Sequence, residues 1–225
     1  AIQGLSMPIA PLHFVLLFFL VVFLLVLLQL EILGLVLSKL GLSPGSAVTL
    51  LFATLLGSAI NLPLFTLHAK PGEVIEPPPL PRGFLGRPLP YYGTTVVAIN
   101  VGGALIPIGF SIYLFTIKPL PYLDVLLGIA IVSALSYAVS RPIKGLGIGM
   151  PILLAPLAAA LAAILLNPEQ SPPLAYISGT LGVLIGADLL RLKDIRKLAT
   201  PIASIGGAGT FDGIFFTGII AVLLA

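Results

Sequence analysis

The sequence predicts an all-α, polytopic membrane protein of about seven transmembrane helices, and three observations carry that expectation. Only 8% of the 225 residues are charged and 58% are hydrophobic, with a mean hydropathy of +1.18, a balance outside the usual range of soluble domains. Several apolar runs reach the roughly 20 residues that a helix needs to cross a bilayer. The period-two alternation of membrane barrel strands is absent.

The same composition excludes several chemistries. There is no cysteine, which removes disulfides, thiolate nucleophiles and cysteine-ligated metals or clusters. His13 and His68 are far apart with no nearby carboxylate pattern, so no metal and no cofactor is expected. A net charge of +3 is too small for nucleic acid. The partner implied is the lipid bilayer; nothing indicates an oligomeric state.

The elements follow in order. A first apolar run, about 11–40, crosses with tilt. It lacks the basic start and short core of a secretory signal, so it is expected to be a retained helix. Gln29 and Glu31 fall near its far end, and Glu31 is expected to be an interfacial carboxylate reaching for headgroups. After the turn at Leu42-Ser-Pro-Gly-Ser, a second span covers about 46–67, kinked at Asn61 and Pro63. Residues 68–93 hold seven prolines, a density that forbids helix and favours extended structure. They are expected to be a stiff connector. Tyr91 and Tyr92 mark a membrane interface.

A third span, about 94–117, contains Asn100-Val-Gly-Gly-Ala and then Pro107, which together allow close packing and a break in mid-membrane. Asn100 is expected to bond to a neighbouring helix. A fourth span covers about 123–140, with Asp124 at its start, where a carboxylate suits the helix macrodipole. The alanine-rich fifth span, 148–166, suits tight helix contact. The sixth and seventh cover about 174–192 and 202–225. No internal repeat stands out, so residues 1–225 form a single transmembrane domain.

Basic residues set the orientation. With seven spans, one side receives Lys70, Arg82, Arg87, Arg141, Lys144, Arg191, Lys193, Arg196 and Lys197, and the other only Lys39 and Lys118. The positive-inside rule then puts the N-terminus and the Pro-rich 68–93 loop in the cytoplasm and the C-terminus outside, in a multi-pass plasma-membrane protein.

The chemistry concentrates in the last two spans, each with one aspartate. Asp188 lies in Gly186-Ala-Asp, and Asp212 in Gly206-Gly-Ala-Gly-Thr-Phe-Asp-Gly213. An intramembrane carboxylate costs a few kcal/mol on insertion scales and is a functional hypothesis by default. Two carboxylates sharing a proton can divide the work of hydrolysis: one activates water while the protonated partner polarises a carbonyl. The two spans are antiparallel neighbours. Asp188 lies about 6 Å from the cytoplasmic end and Asp212 about 15 Å at helical rise, a mismatch relieved only by a loosened start to span seven. Gly206, Gly207 and Gly209 after Pro201 supply that looseness. On an ideal helix Asp188 lies nearly opposite the Gly182/Gly186 stripe, and Arg191 is its ready local partner.

The Gly186-Ala-Asp188 and Gly206–Gly218 motifs, with the chain from about Val97 onward, resemble a prokaryotic membrane family catalogued only as of unknown function. More distantly, the order aspartate helix, cytoplasmic loop, aspartate helix is similar to the presenilin and signal-peptide-peptidase intramembrane proteases. Their Gly-x-Gly-Asp motif is matched at Gly209 and Asp212, with Phe211 at the second glycine, and Ala187 stands where their Tyr precedes the first aspartate. That resemblance implies a hydrolase: an intramembrane aspartyl protease with Asp188 and Asp212 catalytic and a transmembrane peptide as substrate. Gly186, Gly206, Gly207, Gly209, Gly213 and Asn100 would support them by helix packing. Two alternatives come from other classes: a proton-coupled transporter or channel titrating at Asp212, with Asn100, Asn61 and Glu31 along its path, and a non-catalytic assembly subunit that uses the Pro-rich loop.

Overall fold

The computed structural model describes residues 11–68, 93–143, 147–197, 200–207 and 213–225. Most of the Pro-rich segment, together with Gly209 and Asp212, lies outside the described residues. Seven α-helices dominate what is described: α1 (Pro11–Lys39), α2 (Pro44–Gly57), α3 (Ile106–Ile117), α4 (Tyr122–Val139), α5 (Leu154–Leu166), α6 (Ser171–Val183) and α7 (Gly213–Leu224). Two of them, over Phe18–Lys39 and Tyr122–Val139, are long and apolar enough to cross a bilayer.

The all-α expectation needs correcting, because three of the expected spans are composites of helix and strand. The second is α2 followed by β1 (Asn61–His68). The third begins as β2 (Thr94–Asn100) and becomes helical only at a π-turn, Val101–Leu105, that runs into α3. The seventh begins as β5 (Ile202–Ile205), before α7. The residues explain the switch. Thr94-Thr-Val-Val-Ala-Ile is rich in β-branched side chains that favour a pleated backbone. Pro63 cannot donate to a sheet ladder, and it sits on the edge strand β1, where the register shifts between Pro63 and Phe65.

These strands form one sheet in the order β1-β2-β5. β1 and β2 are antiparallel, whereas β2 and β5 are parallel, with Ile99 opposite Ile205. Each of the parallel strands leads into a glycine pair, Gly102-Gly103 and Gly206-Gly207. A short hairpin, β3 (Arg141–Ile143) with β4 (Gly147–Gly149), follows α4.

The core is organised around α6, which packs against α3, α4, α5 and α7 and is buried at nearly every position from Ser171 to Val183. A second π-turn, Leu184–Leu189, extends it. Small residues let the neighbours approach, as in many membrane helix contacts. A Cβ at Gly186 would collide with the Ser133 carbonyl on α4, and one at Gly182 would meet Val132. From α5, Ala155, Ala159 and Ala163 are buried in the same core.

Polar contacts identify two ends of the bundle. At one, Lys39 Nζ donates to the Val222 and Leu223 carbonyls at 3.3 and 3.4 Å, Ser171 Oγ donates to the Ala225 carbonyl, and Asn167 Nδ2 donates to Asp124. At the other, Arg191 is held against the end of α4: it donates to the Tyr137 and Ser140 carbonyls at 2.6 and 2.8 Å. It also pairs with Asp194 at 3.1 Å and lies over the Tyr137 ring.

This packing predicts that Gly186→Leu overpacks the α4–α6 contact and lowers stability by about 1–3 kcal/mol or more. Gly109→Ala, at a helical glycine with nothing within 4 Å of an added Cβ, should be neutral or stabilising by about 0.5–1 kcal/mol. Denaturant unfolding of the purified protein in detergent measures both; equal effects would contradict the packing described.

Candidate functional site

Three breaks in helical geometry meet at one place. The chain leaves α2 at Gly57 and Ser58, leaves β2 at Asn100, and leaves β5 at Ile205. Each break frees backbone groups that a low-dielectric body cannot leave unpaired. Asn100, the last residue of β2 and only 2% exposed, satisfies several at once. Its Nδ2 donates to the Ser58 carbonyl at 2.7 Å and to Asn61 Oδ1 at 3.0 Å. Its Oδ1 accepts from Gly103 N–H at 2.7 Å, capping the π-turn. Asn61 Oδ1 also accepts from Ser204 Oγ at 2.5 Å, which ties β5 to the same knot. Alongside, Val101 N–H donates to the Ile60 carbonyl at 3.0 Å.

Glycine makes the crossing narrow enough. Gly206 has a φ of +72°, a left-handed conformation in which L side chains are strained. Its carbonyl lies where a Cβ on Gly103 would sit. Gly207 N–H then donates to the Ser204 carbonyl at 3.2 Å, and the chain passes into 208–212. Gly213, the next described residue, opens α7. Asp212 immediately precedes this residue in sequence, and its expected depth lies outside the described residues.

Asp188 lies on the second π-turn and is partly buried. Its relation to α7 follows from the helix register. Gly218 packs on Tyr176 and Thr180, and Ser171 at the start of α6 bonds to Ala225 beyond the end of α7, so α6 and α7 are antiparallel. Extended residue for residue, that register puts Gly213 about level with Leu184. Asp188 then lies about four residues, or about 6 Å, past the start of α7.

Facing changes as well. On an unbroken α-helix Asp188 stands about 80° around from Thr180, which meets α7. A π-turn takes an extra residue into the turn and slows the rotation per residue. The turn that carries Asp188 packs on α4.

Of the residues anticipated, Asn100, Gly206 and Gly207 are gathered in the knot, and Gly186 lies on the α4 side of α6. Gly213 begins α7. The knot borders the first π-turn, which in turn contacts α7. Sequence reasoning missed Ser204 and both π-turns. The available signal for the first break was a β-branched run ending in Asn-x-Gly-Gly. The Gly-Gly pair that follows Ile205 marked the second. Among the described residues no three His, Asp or Glu side chains cluster as metal ligands.

Loss of Asn100 should be expensive. Asn100→Ala strands the Gly103 N–H and loosens Asn61 and Ser58, costing about 1–3 kcal/mol for the buried orphan. Unfolding measurements on Asn100→Ala beside Asn167→Ala check this, the latter lying at the far end, where it donates to Asp124 and accepts from Gln170 N–H in a less buried setting. Equal costs would contradict the role given to Asn100.

A family model described as "Protein of unknown function (DUF1614)" matches residues 55–224. It covers most of the chain, and the chain belongs to that family. No curated protein and no solved structure matches.

Proposed function

We propose that this member of an uncharacterised family is a multi-pass membrane protein whose Asp188 and Asp212 form a di-aspartyl site that hydrolyses a membrane-embedded peptide. Two things support the membrane setting. Over Phe18–Lys39 only 11% of the apolar span is buried, and over Tyr122–Val139 only 28%, so neither behaves as the core helix of a soluble protein. The remaining spans would be completed by helix and strand together. Lys39 lies at one end of the bundle with the end of α7, and Arg191 lies at the other end, with Arg141 directly following α4. That asymmetry suits a cytoplasmic N-terminus, cytoplasmic basic loops and an outer C-terminus in the plasma membrane.

The observation that supports the catalytic reading is the antiparallel register of α6 and α7, which puts Asp188 about four residues beyond the level of Gly213, the residue that follows Asp212 in sequence. In this reading the slower rotation of the π-turn would bring Asp188 round toward α7. A carboxylate beside the start of α7 gains from the helix macrodipole, and a second one nearby would favour retention of one proton between the two. The ionised member would take a proton from water as the oxygen attacks the peptide carbonyl. The protonated member would donate to the carbonyl oxygen, and collapse would pass a proton to the departing amine.

A second reading has its own observation. The Asn61–Asn100–Ser204 knot lies at a set of broken helices, where secondary transporters bind ions and substrates. In this reading Asp212 titrates and the knot lines a path. Glu31, placed on that path from sequence, is exposed on α1 and does not support it there.

Asp188→Asn and Asp212→Asn should each reduce cleavage of a transmembrane reporter by at least about 10³-fold, with the protein's unfolding transition unchanged. Asp188→Glu and Asp212→Glu should also fail, since the geometry is close. Full cleavage by either Asn variant ends the di-aspartyl reading. Proton-coupled flux in proteoliposomes, abolished by Asp212→Asn with no proteolysis, selects the transporter instead.

A further inference from the structure

On α1, Glu31, Gly34 and Ser38 recur at helical spacing on one face. Glu31 is exposed, in a helix whose neighbours Leu27, Leu28 and Leu30 are exposed too. Lys39, eight residues on, lies with the end of α7, so the carboxylate is about 12 Å below that surface. Side chains on a helix lean toward its N-terminus. Glu31 therefore leans away from the near surface. Its cost in hydrocarbon stands unless a donor covers it.

Beside this face lies an open groove of about 360 Å³ between α1 and α2, lined by Gly34, Ser38, Leu42, Ala47, Val48 and Leu51 among others. Nothing lies within 4 Å of a Cβ built on Gly34. α1 meets the rest of the protein through its last turns, where Val36, Leu37 and Leu40 are buried. Small residues with nothing against them are the usual floor of a membrane helix contact. The seven described helices bring no Lys or Arg to the depth of Glu31, since Lys39 ends the one helix that has a basic residue in its last turn. A second copy therefore offers no matching cation from these helices.

We propose that the α1–α2 groove docks a transmembrane helix of another protein, one that carries a lysine or arginine at the depth of Glu31. The small floor admits the helix closely, and the carboxylate and the cation neutralise one another where neither is stable alone. This rests on the membrane setting proposed above and not on the protease chemistry.

The test uses full-length protein in lipid vesicles. The chain has no cysteine, so Tyr122→Cys, at an exposed site on α4, gives a unique donor label. Energy transfer is read to three synthetic leucine-rich transmembrane peptides: one with a single Lys 12 Å from its outer end, one with Glu there, and one with neither. The Lys peptide should associate about tenfold more tightly than the others. Glu31→Gln should remove that preference, and Gly34→Leu should remove association by filling the groove. Thiol-reagent accessibility of single cysteines placed along α1 in the otherwise cysteine-free chain, and cleavage of the reporter by the labelled protein, separate failure of the membrane setting or of the protease reading from failure of docking. Equal association of all three peptides, an undiminished preference in Glu31→Gln, or a Gly34→Cys disulfide dimer forming without peptide would overturn the proposal.

Discussion

The structure depends on one constraint: where this chain stops being helical inside an apolar body, every freed N–H and carbonyl must find a partner within the protein. Sheet pairing of β1, β2 and β5 satisfies the strands. Asn100 satisfies the corners, because one buried amide reaches the end of α2, the start of β1 and the first π-turn together. Once that knot is tied, the parallel arrangement of β2 and β5 follows, and Gly206 meets Gly103 with no room for side chains. The described chain is thereby fixed by the knot as far as Gly207 and resumes at Gly213 with α7.

The second half of the construction is α6. It is surrounded by four helices, so small residues rather than bulky apolar ones dominate its surface, and its packing is intolerant of added volume. Its last six residues widen into a π-turn. Such turns are uncommon and concentrate at functional sites. Here the turn carries Asp188, while Gly182 and Gly186 keep α6 close to α4. Arg191 fastens the end of this turn to α4 through carbonyls and a ring.

Hydropathy made the apolar runs visible, and where a run is a plain helix its bounds were legible: the expected fourth span, 123–140, coincides with α4 within a residue. The strands were not legible by the same measure. A short, continuous apolar run has no periodicity to distinguish a buried strand from a helix, and only the β-branched content of 94–99 and the proline at 63 argued for the sheet. Asn100 was recognisable as a residue that must bond to a neighbour, although its partners Ser58 and Asn61 belong to a strand–helix junction that no local pattern announces. Leu184–Leu189 is a π-turn, whereas the facing expected for Asp188 assumed 3.6 residues per turn throughout. The Leu-Ile-Gly-Ala stretch before it carries no sign of a π-turn except the glycine.

The central claim is that Asp188 and Asp212 act as a pair, and the distance between their carboxylates tests it most directly. An experimental structure of the full chain in a lipid nanodisc, at a resolution that resolves both side chains, measures it. The account predicts carboxyl groups within about 5 Å of one another with water between them, because a shared proton requires near contact. A separation beyond about 10 Å, in both free and peptide-bound protein, would contradict it.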